Sequence, residues 1–311
     1  MTEAGPSRTT PSIVVVGDVM ADVLVTVAAP FAHASDTPSV IATAPGGSAA
    51  NQAVWLSRAG ATVSLVAAVG ADPFGDTALR TLEAEGVDVR TVQRVEAATG
   101  VVVALVEPDG QRSMLTDRGA NLELSSRALD AVAGSLEAGS HLHLSGYCLL
   151  EAASRPVGLR AIELARSAGT TFSVDACSAG PLRSVGGEQF LDWTDGARFF
   201  FANLDEGGVL TGLAEPTAIA ERLTSRATEV VLTLGDRGMV VAERDGATTA
   251  AAAQAARASD TTGAGDALCG TYLAGRLAGQ SITTALEAAS QAAAAAVATT
   301  GARRWVGYSR V

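Results

Sequence analysis

The chain contains no lysine. All 22 of its basic residues are arginine, and against 33 acidic residues they leave a formal net charge of -11. A Walker A phosphate loop, a protein-kinase core and a pyridoxal Schiff-base enzyme each depend on a lysine, so its absence argues against all three. Any phosphate chemistry must then rest on backbone N–H groups, arginine and metal ions. The acidic balance argues equally against a nucleic-acid or anionic-membrane partner, because both need basic patches. Cysteine is scarce too. Cys148, Cys177 and Cys269 lie far apart, without metal-ligand or CxxC spacing, and read as buried thiols of a cytoplasmic protein. The first dozen residues (MTEAGPSRTTPS) lack an apolar core, and no window is apolar enough to span a bilayer, so a soluble, cytoplasmic chain is expected.

What is present is a long alternation. With 311 residues, 48% of them hydrophobic, the chain can bury one large core, and one α/β domain with an appendage is the default. Strands are expected at Ile13 to Val16, Val63 to Val69, Val101 to Val106, His141 to Leu144, Thr171 to Val174, Arg198 to Phe201 and Val230 to Leu234. Amphipathic helices are expected between most of them, at Asn51 to Arg58, Asp76 to Glu85, Arg127 to Leu136, Pro156 to Ser167 and Ala218 to Arg226. This rhythm predicts βαβ units and a mainly parallel central sheet covered on both faces. Residues 23–45 and 99–117 break it, the second with a hairpin signal at Asp109-Gly110, and both suit a small β lid beside the carboxyl ends of the strands. The alanine-rich stretch from Ser290 to Thr300 reads as a buried helix stopped by Gly301. No linker divides residues 1–311 into separate domains.

Two strings could carry chemistry. In "DTTGAGDALCG", from Asp260, the residues from Ala267 onward have helical spacing, so Gly263, Ala264 and Gly265 sit at a helix N-terminus. Unpaired N–H groups and the helix dipole favour an anion there, and the missing side chains let it approach. Asp266, in the first turn, is expected to be ionised at neutral pH and ready to accept a proton. An anion pocket beside a base is what phosphoryl transfer to an alcohol needs. On spacing alone, a plain capped helix start accounts for the string equally well. The second string, "GGSAANQA" from Gly46 to Ala53, also precedes a helical run and is weak by itself.

Together the two strings resemble the signatures of the ribokinase-like sugar kinases, the PfkB family, and the similarity runs from "GDVMAD" through "NLDE" and "TLGDRG" to the terminal helix. The resemblance implies a single ribokinase-like three-layer αβα sandwich with a β-sheet lid, and an ATP- and Mg²⁺-dependent phosphotransferase acting on a hydroxymethyl group. It implies Asp266 as catalytic base and Gly263, Ala264 and Gly265 as the anion hole. Asp22, Gly46, Gly47 and Asn51 match sugar-binding positions, with Asp18 as a further candidate that is as readily a turn residue. Asn203 and Glu206 match the motif that organises Mg²⁺ through water, and also suit a helix cap. Thr233, Gly235, Asp236 and Gly238 match the nucleotide-binding segment. Asp260 and Thr262 match positions of a monovalent-cation (K⁺) site found in part of the family, although "ARRWVG" after Gly301 offers no small polar ligand for its far half. Arg118 could reach substrate or phosphate charge, or be a solvated loop residue. His141 and His143 share one strand face and lack a third ligand, so packing is the expected role.

The substrate is less legible. Met20 in "GDVMAD" offers no useful hydrogen bond, and "SGYCLL" carries no acid where a ribose site would have one. Met20 and Tyr147 therefore suggest a larger or partly apolar substrate: a nucleoside, of adenosine or pseudouridine type, or a sugar acid such as ketodeoxygluconate. Two other classes compete. A dinucleotide-dependent oxidoreductase lacks its GxGxxG after the first strand, and a non-catalytic sugar-binding relative has no reason to keep Asp266 with Asn203 and Glu206. Pairing of two lids in a homodimer is a further expectation from the resemblance.

Overall fold

A computed structural model describes residues 10–27, 32, 34–106, 112–137, 139–254 and 262–298. The chain opens with β1 (Ser12–Val16), then runs through β2 (Met20–Val27) and β3 (Ser39–Gly46) into helix α1 (Ser48–Arg58) and strand β4 (Thr62–Val66). There follow β5 (Ala68–Gly70), α2 (Pro73–Ala84), β6 (Val87–Asp88), β7 (Gln93–Val95), β8 (Gly100–Val106), β9 (Arg112–Asp117) and α3 (Arg127–Val132). A run of strand and helix units comes next: β10 (Ser140–Ser145), α4 (Tyr147–Leu150), α5 (Arg155–Ser167), β11 (Thr171–Asp175), α6 (Ala179–Val185) and α7 (Gly187–Thr194). It continues through β12 (Ala197–Asn203), α8 (Leu204–Thr211), α9 (Pro216–Leu223) and β13 (Ala227–Thr233). The hairpin β14 (Met239–Glu243) and β15 (Thr248–Ala251), then α10 (Ala264–Leu277) and α11 (Ile282–Val297), complete it.

Nine strands form one sheet in the order β15-β14-β13-β12-β11-β10-β1-β4-β6, parallel except at β14 and β15. Strand alternation explains its two cores. Val14 and Val16 of β1 pack with Leu142, Leu144 and Phe200 under α3, α5 and α9, while Ile13 and Val15 pack with Phe199, Phe201 and Tyr272 under α1, α10 and α11. The result is the expected αβα sandwich. The strand order reverses beside β1, between β10 and β4, so a crevice opens at the carboxyl ends of β1 and β10. Over that crevice lies the second sheet, in the order β3-β2-β8-β9.

Some local expectations are corrected. The stretch Val63 to Val69 is two strands: β4 pairs with β1 only as far as Val66, and after Ala67 the chain pairs instead with β7. The helix expected over Arg127 to Leu136 tightens into a 3-10 turn at Ala133–Ser135. The terminal helix begins at Ile282, where Ser281 caps it by accepting from the Thr284 N–H at 3.1 Å. The Asp109-Gly110 turn, Asp260 and the segment from Gly301 lie outside the described residues.

The seam between α1 and α10 beside the crevice is tight. At Gly270 the backbones approach so closely that a Cβ would stand 2.8 Å from the Gln52 carbonyl oxygen and 2.8 Å from the Trp55 Cβ. Gly270→Ala should therefore lower unfolding stability by about 1–3 kcal/mol in urea titration, despite alanine's better helix propensity. Gly134→Ala, where a Cβ meets nothing within 4 Å, should stay within about 0.5 kcal/mol. Equal effects at the two positions would refute the tight seam.

Candidate active site

Two helix N-termini converge on the crevice. At the first, Asp18 follows β1 and accepts hydrogen bonds from the backbone N–H groups of Ser48 (3.3 Å) and Ala49 (3.1 Å), the first turn of α1. It also accepts from Ser145 Oγ at 3.1 Å and pairs with Arg118 at 3.4 Å. Asp18 is thus a buried cap for α1 and more than a turn residue. At the second, α10 starts from Gly263, whose φ of 77° is a left-handed conformation that side chains disfavour. A Cβ at Gly265 would meet nothing within 4 Å, and Gly263 and Gly265 both border the cavity described below.

Asp266 occupies the first turn of α10 and is held from across the seam. Its Oδ1 accepts from Ser48 Oγ at 2.8 Å and Gln52 Nε2 at 3.1 Å, and its Oδ2 accepts from Asn51 Nδ2 at 2.9 Å. Burial raises its pKa to about 8, with Asp175 and Asp18 adding repulsion and the bonds from Asn51 and Ser48 opposing the shift. The helix dipole does not offset burial beside two other acids, so the expectation of a resting carboxylate at neutral pH is corrected: unliganded Asp266 is mostly protonated there.

A cavity of about 870 Å³ lies between the two sheets. Asp18, Asp22, Gly47, Asn51 and Arg118 line its lid side, and Gly46 lies beside it, directly under the Asp22 carboxylate. Met20 and Tyr147 also line it, and the Arg118 guanidinium lies 3.7 Å from the centre of the Tyr147 ring. Arg118 is no solvated loop residue: its side chain is 14% exposed, and Glu151 reaches it at 3.8 Å. Glu151, one residue beyond "SGYCLL", also lines the cavity.

At the other end the cavity reaches Thr233, Thr262, Gly263 and Gly265. Asn203 and Glu206 line it as well and form a complete capping box for α8. The Asn203 backbone N–H donates to one Glu206 oxygen at 2.8 Å, Asn203 Nδ2 donates to the other at 2.6 Å, and the Glu206 N–H returns a bond to Asn203 Oδ1 at 2.9 Å. Burial and then the charge of Asp175 raise Glu206 to about 8. Gly235, Asp236, Gly238 and Ala264 are not part of the lining; the first three turn the chain between β13 and β14 just beyond Thr233.

Sequence reasoning passed over Asp175, at the end of β11, and read Cys177 only as a buried thiol, whereas it is half-buried; both stand in the cavity wall. Only their place at the carboxyl end of a parallel strand would have flagged them. Gln52 and Ser48 stood inside a quoted motif without a role.

The residues 10–306 match the model of the pfkB family carbohydrate kinases. The chain is 28% identical over 279 residues to a ribokinase of Schizosaccharomyces pombe, covering 85% of this chain and 84% of the relative. Its fold is similar to that of adenosine kinase from Sinorhizobium meliloti, with a TM-score of 0.84, 23% identity and coverage of 96% and 97%. It is also similar to an Escherichia coli ribokinase II candidate solved with ATP and Mg²⁺, with a TM-score of 0.79, 21% identity and coverage of 94% of each chain. The chain belongs to the PfkB family, carbohydrate kinases that transfer phosphate to a hydroxyl group. No helix among the described residues is long and apolar enough to cross a membrane.

The raised pKa of Asp266 predicts a stability signature. A carboxyl that titrates near 4 when unfolded and about 8 when folded binds more protons folded between those values, so its contribution is lost as pH rises from about 4 to about 8. Asp266→Asn removes that loss. Thermal melts should show the variant above the wild type at pH 8.5 and close to it at pH 5; parallel pH slopes would contradict the assignment.

Proposed function

We propose that this enzyme transfers the γ-phosphate of ATP to a hydroxymethyl group of a neutral sugar or nucleoside held under the lid. The observation that carries this reading is Asp266, in the first turn of a helix whose start borders the cavity, and held by Ser48 and Asn51 from the second motif. The substrate hydroxyl oxygen attacks the γ-phosphorus, the bond to the bridging oxygen of ADP breaks, and Asp266 takes the hydroxyl proton. The Gly263-Ala264-Gly265 turn and the Asp266 amide receive the charge developing on the phosphoryl oxygens. The lid closes over the substrate and excludes water.

ATP and Mg²⁺ are the cosubstrate and metal of this reading, and they make the cytoplasm its natural setting. The chemistry of the donor set supports Mg²⁺: Asp175 and Glu206 both have raised pKa values, chiefly from burial, with the charge of Asp18 adding to the first and that of Asp175 to the second. A hydrated divalent cation relieves such crowding, and Asn203 and Glu206 would hold it through water. Mg²⁺ supplies neutralisation of the phosphate charge. Thr233 stands at the nucleotide end, with the Gly235, Asp236 and Gly238 turn behind it. Thr262 belongs to this reading as one side of a K⁺ site, its partner Asp260 being outside the described residues.

For the acceptor, Arg118 is already shared by Asp18 and Glu151, which disfavours a sugar acid. Met20, Tyr147 and the lid's Leu24 and Ala44 favour a polyol with an apolar or aromatic appendage, hence a nucleoside over free ribose. The similarity to an adenosine kinase fold is in line with this and does not choose among substrates. Ile41 and Leu115, 46% and 64% exposed on the lid, support a homodimer formed through the lids, with the whole chain read as one domain. A monomer in sedimentation equilibrium at micromolar concentration would count against that pairing.

An ADP-release assay across pentoses, hexoses, nucleosides and sugar acids should find its highest kcat/KM with a nucleoside; a clear preference for free ribose overturns that choice. With the best acceptor, Asp266→Asn should lower kcat on the order of 10²–10⁴-fold and leave acceptor affinity within a few fold. Near-normal turnover would refute the base, and a silent wild type on every acceptor would favour a non-catalytic binding protein.

A further inference from the structure

Behind the catalytic carboxyl runs a buried chain of hydrogen bonds that the phosphoryl-transfer reading does not use. Gln52 is fully buried on α1, and its Nε2 faces three acceptors: Asp175 Oδ2 at 2.6 Å, Ser48 Oγ at 3.0 Å and Asp266 Oδ1 at 3.1 Å. Its Oε1 lies 2.8 Å from His143 Nε2. His143 Nδ1 lies 2.7 Å from Ser173 Oγ, which lies 2.8 Å from His141 Nε2, and His141 Nδ1 lies 2.7 Å from Thr171 Oγ1. Strand alternation builds this chain: His141 and His143 on β10 and Ser173 on β11 all point to the α1 side of the sheet.

With Asp175 and Asp266 ionised, the state in which Asp266 can act as a base, the hydrogens of this chain run in one direction. Gln52 must turn its NH₂ toward the two carboxyl groups, so its oxygen needs a donor, and His143 Nε2 must carry a proton. Burial holds both imidazoles neutral, so His143 Nδ1 is an acceptor and takes the Ser173 hydroxyl hydrogen. Ser173 Oγ then accepts from His141 Nε2–H, and His141 Nδ1 accepts from Thr171. We infer that Gln52 is a positioning residue for the base Asp266, its carboxamide locked in the donating orientation by the His143–Ser173–His141 relay. Reversed, the carboxamide would offer an oxygen that accepts from protonated carboxyls and would hold Asp266 in the wrong state for a base. Asp175 and Asp18 face this cluster from the ends of β11 and β1, and Glu206 faces Asp175 from α8. Cys269 on α10 lies 3.8 Å from His143 Nε2, Cys177 borders Asp175, and Arg198 on β12 faces His141.

The inference rests on Asp266 being the base, and the test separates the two. With three histidines in the sequence, long-range ¹H–¹⁵N spectra of the wild type can read each tautomer. Both buried rings should stay neutral from pH 5.5 to 9 and be Nε2–H forms above about pH 8.5, where Asp266 is ionised; an Nδ1–H form of His143 there, or its protonation anywhere in the range, overturns the relay. Ser173→Ala, which touches neither carboxyl, frees His143 to switch tautomer. The acid limb of its kcat profile should move up by roughly one pH unit, about a tenfold loss below the limb, with little change in KM. An unmoved limb in Ser173→Ala beside an inactive Asp266→Asn overturns the relay alone, even if the melting temperature falls. Full turnover in Asp266→Asn overturns the base and the relay with it. Should Ser173→Ala fail to fold, the wild-type tautomers decide.

Discussion

Everything at this site depends on how closely α10 lies against α1. The contact is made possible by a residue with no side chain, Gly270, set against the Gln52 carbonyl oxygen and Trp55. Because a helix is rigid over one or two turns, the spacing set at Gly270 is transmitted to Asp266 four residues earlier. It leaves Asp266 within 2.8 to 3.1 Å of Ser48, Asn51 and Gln52. Two motifs more than 200 residues apart in the sequence thus become one hydrogen-bonded unit. Neither could hold the carboxyl alone, since an unpaired acid in such a place would cost several kcal/mol.

That unit stands in a protein with no ammonium group to offer. Asp18, Asp175, Glu206 and Asp266 converge with Arg118 as the cation beside them, and Arg118 is occupied by Asp18, Glu151 and the Tyr147 ring. Burial first, and then the charge of Asp175, raise both Asp266 and Glu206 to about 8, so part of this charge is balanced by protons in the unliganded molecule. The arrangement costs stability as pH rises from about 4 to about 8, and it leaves the acids responsive to whatever positive charge arrives with a phosphate donor. Strain of this kind at a site is the usual trade between stability and function.

Much of the fold was legible because it follows from period alone. Alternation of β-branched runs with amphipathic segments gave the parallel sheet and its two layers, and the breaks in that rhythm over residues 23–45 and 99–117 fall where most of the second sheet lies. The break at Ala67 was not legible, because an apolar run looks the same whether one partner strand or two receive it. At the site, glycines and acids at helix starts were visible as patterns, whereas Asp175 and Glu151 were not. Their importance comes from standing at the carboxyl end of a strand or beside Arg118, facts of topology that no local spacing carries. The charge state of Asp266 was misread for the same reason: the dipole of its own helix is local and visible, but Asp175 and Asp18 approach it from other strands.

The two histidines sharpen this distinction. Alternation on β10 gave them a common face, and with no third ligand they were expected to pack, which they do: His141 lies edge-on to Phe199 and His143 to Phe201, both almost wholly buried. Packing alone does not require histidine, since leucine or phenylalanine would fill the same volume without a polar edge to satisfy. Here every ring nitrogen has a partner, and the bonds run in sequence from Thr171 through His141, Ser173 and His143 to Gln52, beside the Asp266 carboxyl. A buried polar network stabilises a structure only when every member is satisfied, so the chain from Thr171 to Gln52 is complete or it is a liability. Completed against ionised carboxyls, it holds one orientation of one carboxamide, and that carboxamide touches Asp266.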